Sequence, residues 1–200
     1  MSLKKINIHD LENIYNREND YIIDGIKDSK NPYHFFTLAT LNNITPQSRT
    51  IVLRDYDVNS KTISFNADYR SPKIKQLLKN KECAVLFYDN SRKIQIRFDC
   101  LATIFYNDNK SKQAWDKTQL QSRKCYMGVY TPSIVLDEYN PNIPIKYLKR
   151  DPDENDSHAG YKNFAFIKLQ IQSSDILELH HDGHIRFKVD SNNKFSFIAI

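Results

Sequence analysis

Arg49, Arg54, Ser71 and Lys73 are the residues of this chain best suited by type and spacing to bind an anion. Arg49 and Arg54 bracket the apolar run Thr50-Ile51-Val52-Leu53. A guanidinium is too costly to bury beside such a strand unless an anion or a carboxylate pairs with it. The two arginines differ by an odd number, so on a regular strand they point to opposite faces. Either a bulge intervenes or one of them alone meets the anion. Downstream, "SPKIKQLLKN" places Ser71 as N-cap and Pro72 at the first helical position. A helix start with a hydroxyl and nearby Lys and Arg suits a phosphate. With four glycines in 200 residues and neither a P-loop nor a dinucleotide fingerprint, a phosphate site here must be built from side chains and helix ends.

The elements that must position these residues follow from the periodicity. Leu11, Ile14, Tyr15, Ile22, Ile23 and Ile26 recur at helical spacing and predict an amphipathic helix within residues 1–30. From Phe35 the period becomes that of strands: "FFTLATL", "RTIVLRDYDV", "TISFNA", "CAVLFYD" and "KIQIRFDCLATIFY", separated by "NNITPQS", "DVNSK" and "DNSRK". In the fifth strand Ile94, Ile96, Phe98, Cys100, Ala102 and Ile104 take one face, and Lys93, Gln95, Arg97, Asp99 and Thr103 the other. "CAVLFY" is apolar on both faces and reads as central. One helix, with Ile74, Leu77 and Leu78 as its stripe, interrupts the strands, and "NKSKQAWDKTQLQSRKCYMG" reads as one or two more. Residues 137–160 read as a long surface loop, after which "FAFIKLQIQ", "DILELHH", "HIRFKVD" and "KFSFIAI" return to strand. The expected fold is mainly β with flanking helices (α+β), a single domain over residues 1–200 whose antiparallel strands curl into a barrel or sandwich.

Composition narrows the setting. No apolar run reaches about 18 residues and the first residues lack an apolar centre, which points to a cytoplasmic protein without a membrane span. Cys83, Cys100 and Cys125 are odd in number and form no C-x-x-C pair, so reduced thiols are expected. His180, His181 and His184 have a spacing that suits a helix better than the strand–turn–strand expected there, so no metal is assigned. The net charge of +5 fits either nucleic acid or small anions.

The combination of "RTIVLRDYD", "ISFNADYRSPKIKQL", "AVLFY", "IQIRFDCLATI" and "DILELHHDGHIRFKV" resembles the pyridoxamine 5'-phosphate oxidase-related, FMN-binding split-barrel family. The resemblance implies an antiparallel split β-barrel, FMN as cofactor, and a homodimer with the flavin at the subunit interface. It carries the flavin-lining segment onto Arg49, Ile51, Val52, Leu53 and Arg54, and the next pair onto Asn66 and Ala67. The phosphate-binding helix start falls on Ser71, Pro72 and Lys73, where Pro72 replaces an arginine and Arg70 stands two residues earlier as its substitute. A flavin-contacting glutamine corresponds to Gln95, and a C-terminal arginine to Arg186.

The substrate side departs from the family. The oxidase's three substrate-phosphate residues correspond to Ala114, Thr118 and Ser122, and its arginine-leucine-histidine clamp to Asp182-Gly183-His184. Lost charge-assisted bonds and an added acid make this a poor receptor for a phosphorylated substrate. The expectation is therefore an FMN-dependent oxidoreductase acting on a non-phosphorylated small molecule, with Trp115, Ser122 and His184 in its pocket and Tyr126 helping to shape it. Alternatives are a flavin carrier or sensor without turnover, or a basic β-barrel that binds single-stranded nucleic acid. Phe98 and Tyr106 sit on the strand face opposite Lys93 and Arg97, which counts against nucleic acid.

Overall fold

The protein is described by a computed structural model over residues 6–200. Helix α1 spans Ile8–Lys27 and begins with a reciprocal capping box, in which Asn7 accepts from the Asp10 N–H and Asp10 from the Asn7 N–H. Its apolar stripe buries Leu11, Ile14 and Ile22, while Ile23 lies off the stripe and stays exposed. Strands β1 (Phe35–Asn42), β2 (Thr45–Val52), β3 (Asp55–Asp57) and β4 (Thr62–Asp68) precede helix α2 (Pro72–Lys79). Strands β5 (Glu82–Asp89) and β6 (Ile94–Tyr106) are followed by helices α3 (Asn109–Lys117), α4 (Leu120–Arg123) and α5 (Glu154–Ser157). Strands β7 (Phe164–Glu178), β8 (Ile185–Val189) and β9 (Phe195–Phe197) close the chain.

The nine strands form one open antiparallel sheet in the order β2-β1-β5-β6-β7-β4-β3, with β8 on β7 and β9 on β8. This is the sheet of a split barrel. The interior place of β5 and the alternation of β6 agree with the periodicity, since Ile94, Ile96, Phe98, Cys100 and Ala102 are buried while Arg97, Asp99 and Thr103 are exposed. By packing, the chain resolves into two compact units. Unit 1 holds residues up to Phe65, Lys81–Ala102 and Lys168–Ile200; unit 2 holds Asn66–Asn80 and Thr103–Ile167. Among the described residues no helix is long and apolar enough to cross a membrane.

Three expectations about the elements change. "RTIVLRDYDV" is two strands, because the chain leaves the ladder at Leu53 and Arg54, where Leu53 N–H reaches the His34 carbonyl and Arg54 N–H that of Ser64. "NNITPQS" is mostly strand: the turn lies at Asn43, with φ of 56°, and β2 starts at Thr45. "FAFIKLQIQ" and "DILELHH" merge, up to Glu178, into the single strand β7. Within residues 137–160 most side chains are exposed, but Tyr147 is buried and its hydroxyl is anchored on Asp156.

Candidate functional site

In unit 1, Arg49 faces Leu38 across the β1–β2 ladder. Its Nη1 donates to Thr40 Oγ1 at 2.5 Å and to the Leu38 carbonyl at 3.2 Å, and burial lowers its affinity for its proton. Arg54, beyond the break, is exposed. The break therefore answers the parity question: the two arginines do not lie on one regular strand. Ile51 and Leu53 are core side chains and Val52 is half-buried, so the first two can offer a ligand only backbone. Gln95 is half-buried on the polar side of β6, opposite Tyr88 of β5.

Arg186 is engaged within the same unit. Its Nε and Nη2 donate to the two carboxylate oxygens of Asp175 at 3.2 and 2.9 Å, and Arg97 donates to the same carboxylate. Burial opposes the charge on Asp175, but hydrogen bonds from Arg186 and Arg97 outweigh it and hold the carboxyl below its ordinary range. His184 lies exposed in the β7–β8 turn, where its Nδ1 accepts from the His180 N–H at 3.2 Å.

Unit 2 holds the other expected residues. Ser71 occupies the N-cap place of α2 and is buried, but its hydroxyl caps no helical N–H; it accepts instead from Lys73 Nζ at 3.2 Å. The Ile74 N–H, which an N-cap hydroxyl would usually take, donates to the Ser71 carbonyl at 3.0 Å, and the Ser71 hydroxyl is left out of the capping role. Arg70 is used differently. Its Nε and Nη2 grip Asp68 Oδ1 and Oδ2 at 3.0 and 2.7 Å, and its remaining donors reach the carbonyls of Gly128 and Val129. Hydrogen bonding to Asp68 raises the Arg70 pKa. Ala67 is buried, and Asn66 Nδ2 donates to Thr118 Oγ1 at 3.3 Å.

Thr118 Oγ1 in turn donates to the Ala114 carbonyl at 2.8 Å, so this hydroxyl is used inside the fold. Ser122 is half-buried on α4. Trp115 is a core anchor, packed edge-on against Phe164 and Tyr126 with the Arg123 guanidinium 5.0 Å from its ring. It also borders a cleft of 560 Å³ lined with Lys112, Asp116, Arg123, Glu154, Asn155 and His158.

Asp68, Asp175 and Thr40 escaped the sequence reading although they hold the expected cations. Asp68 was within reach, two residues from Arg70 and able to bond it locally. Asp175 was not, because its two arginines come from other strands and meet it only through the register.

Residues 19–106 match the family described as "Pyridoxamine 5'-phosphate oxidase, FMN-binding domain". No curated protein matches the chain. Among solved structures, a pyridoxamine 5'-phosphate oxidase-related, FMN-binding protein from Nostoc punctiforme superposes with a TM-score of 0.70 at 20% identity, covering 100% of this chain and 99% of that one. PhzG from Burkholderia lata, in complex with tetrahydrophenazine-1-carboxylic acid, gives 0.62 at 14% identity over 96% and 91%. Campylobacter jejuni ChuZ gives 0.58 at 11% over 97% of this chain and 64% of that one. At these identities the structures speak for the fold alone, that of a split barrel, and residues 19–106 are similar in sequence to the pyridoxamine 5'-phosphate oxidase FMN-binding domain.

Proposed function

We propose that this chain binds FMN as a homodimer and acts as an oxidoreductase on a small, non-phosphorylated molecule. The observation that carries the reading is the start of α2, where a buried hydroxyl set free from capping, the Lys73 ammonium and the positive end of the helix converge. That set suits a phosphate ester. Arg70 is committed to Asp68, so in unit 2 the phosphate would rest on Ser71 and Lys73. In unit 1 the flavin would meet Arg49, which donates to Thr40, together with Arg54 and Gln95. Arg186, held on Asp175, would act at most as a fixed charge. Bound FMN supplies hydride or single-electron transfer; the chain's part is to hold the phosphate, orient the ring and exclude water.

The substrate class follows from what the helices lack. Ala114 offers no donor and the Thr118 hydroxyl is spent on the Ala114 carbonyl, so nothing at these positions competes with water for a phosphate. The same fold in PhzG takes a ring carboxylic acid without a phosphate, which is consistent with this reading.

The test is a visible spectrum of the purified protein after incubation with FMN and desalting, followed by titrations with FMN and with riboflavin. Retained flavin bands are expected. Lys73→Ala should weaken FMN by about 10- to 100-fold, the worth of one charge-assisted hydrogen bond, and leave riboflavin binding unchanged. A protein that retains no flavin, or a Lys73→Ala variant that binds FMN as well as the wild type, would overturn the assignment.

A further inference from the structure

We infer that the cleft beside Trp115 in unit 2 is a binding site for a small carboxylate, built on the Arg123 guanidinium. Arg123 is 5% exposed, and among the described residues no carboxylate pairs with it. Its hydrogen bonds go to neutral oxygens: Nε donates to the Thr118 carbonyl at 2.9 Å, Nη1 to the Ser157 hydroxyl at 3.2 Å and Nη2 to the Asp116 carbonyl at 3.1 Å. Two of these acceptors are carbonyls at the C-terminal end of α3, and the Trp115 ring lies 5.0 Å away, so the fold spreads the charge without cancelling it. An arginine buried to this degree ordinarily has a counter-ion.

The donors left over have a direction. A guanidinium carries five N–H groups in one plane. Three are spent inside the fold, so one N–H on each terminal nitrogen remains, and the 560 Å³ cleft opens against this side chain. Two donors fixed on one rigid plane match the two oxygens of a carboxylate. The hydrogen bonds to α3 and Ser157 hold that plane in place before any ligand arrives, which lowers the ordering cost of binding. The volume is that of a small-molecule site.

The other charges of the cleft select the ligand. Lys112 and Asp116 satisfy each other, with Nζ 2.6 and 2.7 Å from the two carboxylate oxygens. Glu154, on α5, lines the same cleft and has no cation partner among the described residues. A multiply charged phosphate would be repelled by both acids, whereas a single carboxylate asks only for the charge that Arg123 has left unpaired. The cleft is also separate from the counterparts of the oxidase's substrate-phosphate residues. Lys112 and Asp116 share one face of α3, and Ala114 and Thr118 take the opposite one. The site therefore stands independently of the flavin reading.

Propionate titrated against propionamide at matched ionic strength tests the site on the full chain, read by thermal unfolding and by emission from Trp115, the single tryptophan. Propionate should raise the unfolding temperature and change the emission with one saturating dissociation constant, and the neutral amide should do neither. Arg123→Lys keeps the charge but loses the fork, and should weaken propionate by about 10- to 100-fold. Because Arg123 also closes the end of α3, circular dichroism checks the fold of that variant, and Glu154→Gln on the exposed rim provides a second. Removing this neighbouring negative charge should tighten propionate by about two- to fivefold at low salt. A wild type that answers acid and amide alike, or a folded Arg123→Lys that binds propionate as well as the wild type, would overturn the site. Should Arg123→Lys not fold, an affinity unmoved by Glu154→Gln would overturn it. Inorganic phosphate binding more tightly than propionate would overturn the carboxylate as its ligand.

Discussion

Arg70 and Lys73 stand three residues apart at the entrance to α2 and are committed to different tasks. Arg70 spends its forked donors on a carboxylate that is nearly buried, and Lys73 gives its ammonium to a neutral hydroxyl. An ion pair that engages a guanidinium's fork has little to offer a phosphate, whereas an ammonium carries three donors and can take a phosphate oxygen as an acceptor beside the Ser71 hydroxyl. The two residues should therefore separate by readout. Arg70→Ala is expected to cost about 3 kcal/mol of stability in urea denaturation, because Asp68 is left as an uncompensated charge, and to change FMN affinity less than Lys73→Ala does. The reverse pattern would return the phosphate to Arg70.

At the scale of elements, α1 and the β5–β6 turn are joined by a buried polar cluster. Glu18, 1% exposed, accepts from Arg17, from Arg92 at 2.9 Å and from the Tyr33 hydroxyl at 2.7 Å. Arg92 also donates to Asp89, which takes the N–H groups of Ser91 and Arg92 and the Ser91 hydroxyl to shape the turn. Burial opposes the charge on Asp89, but the hydrogen bonds from Ser91 and Arg92 prevail and hold its carboxyl at about 2. A carboxyl depressed in the folded state contributes stability above its unfolded value of about 4 and loses it as the pH falls toward 2, a contribution worth about 2 kcal/mol. Asp89→Asn should therefore be the less stable protein at neutral pH, and the gap should close across that window in pH-dependent urea denaturation. Where α1 passes the turn before β1, Gly25 sets the approach: a Cβ would stand 2.8 Å from the Tyr33 carbonyl carbon and 3.0 Å from the His34 nitrogen. Helix propensity alone would make Gly25→Ala stabilising by about 1 kcal/mol. Here the backbone cannot yield cheaply, and the substitution is expected to lower stability by about 1–3 kcal/mol. Little of this was legible in the sequence. Periodicity disclosed α1, the buried face of β6 and the central place of β5, but the break after Val52 depends on His34 and Ser64 carbonyls that come from distant residues. The fusion of the two runs in β7 hides behind Ser173-Ser174-Asp175, which reads as a turn and is held extended by pairing with β8.

At the scale of the whole molecule, the expected flavin residues divide between the two units: Arg49, Arg54, Gln95 and Arg186 in the first, Asn66, Arg70, Ser71 and Lys73 in the second. The order of motifs along the chain proposes this set, because the resemblance lies in the sequence itself; what each cation is paired with did not show, because pairing is made by the fold. The substrate side divides in the same way. Thr118 and Ser122 lie in unit 2, Asp182-Gly183-His184 in unit 1, where it forms an exposed turn. Neither cluster offers a phosphate a cation at the family's positions. In unit 2 a substrate phosphate would instead have to displace water using the Ser122 hydroxyl. The loss of two charge-assisted bonds corresponds to about 3–6 kcal/mol, or more than a hundredfold in substrate binding. Mixed anaerobically with the flavin-loaded protein, pyridoxamine 5'-phosphate is therefore expected to bleach the flavin no faster than buffer does. Pyridoxamine without its phosphate should do no worse than the phosphorylated amine. A rapid bleach dependent on the phosphate would show that the chain supplies phosphate donors from positions other than those of the family, and would overturn the non-phosphorylated substrate class while leaving FMN binding in place.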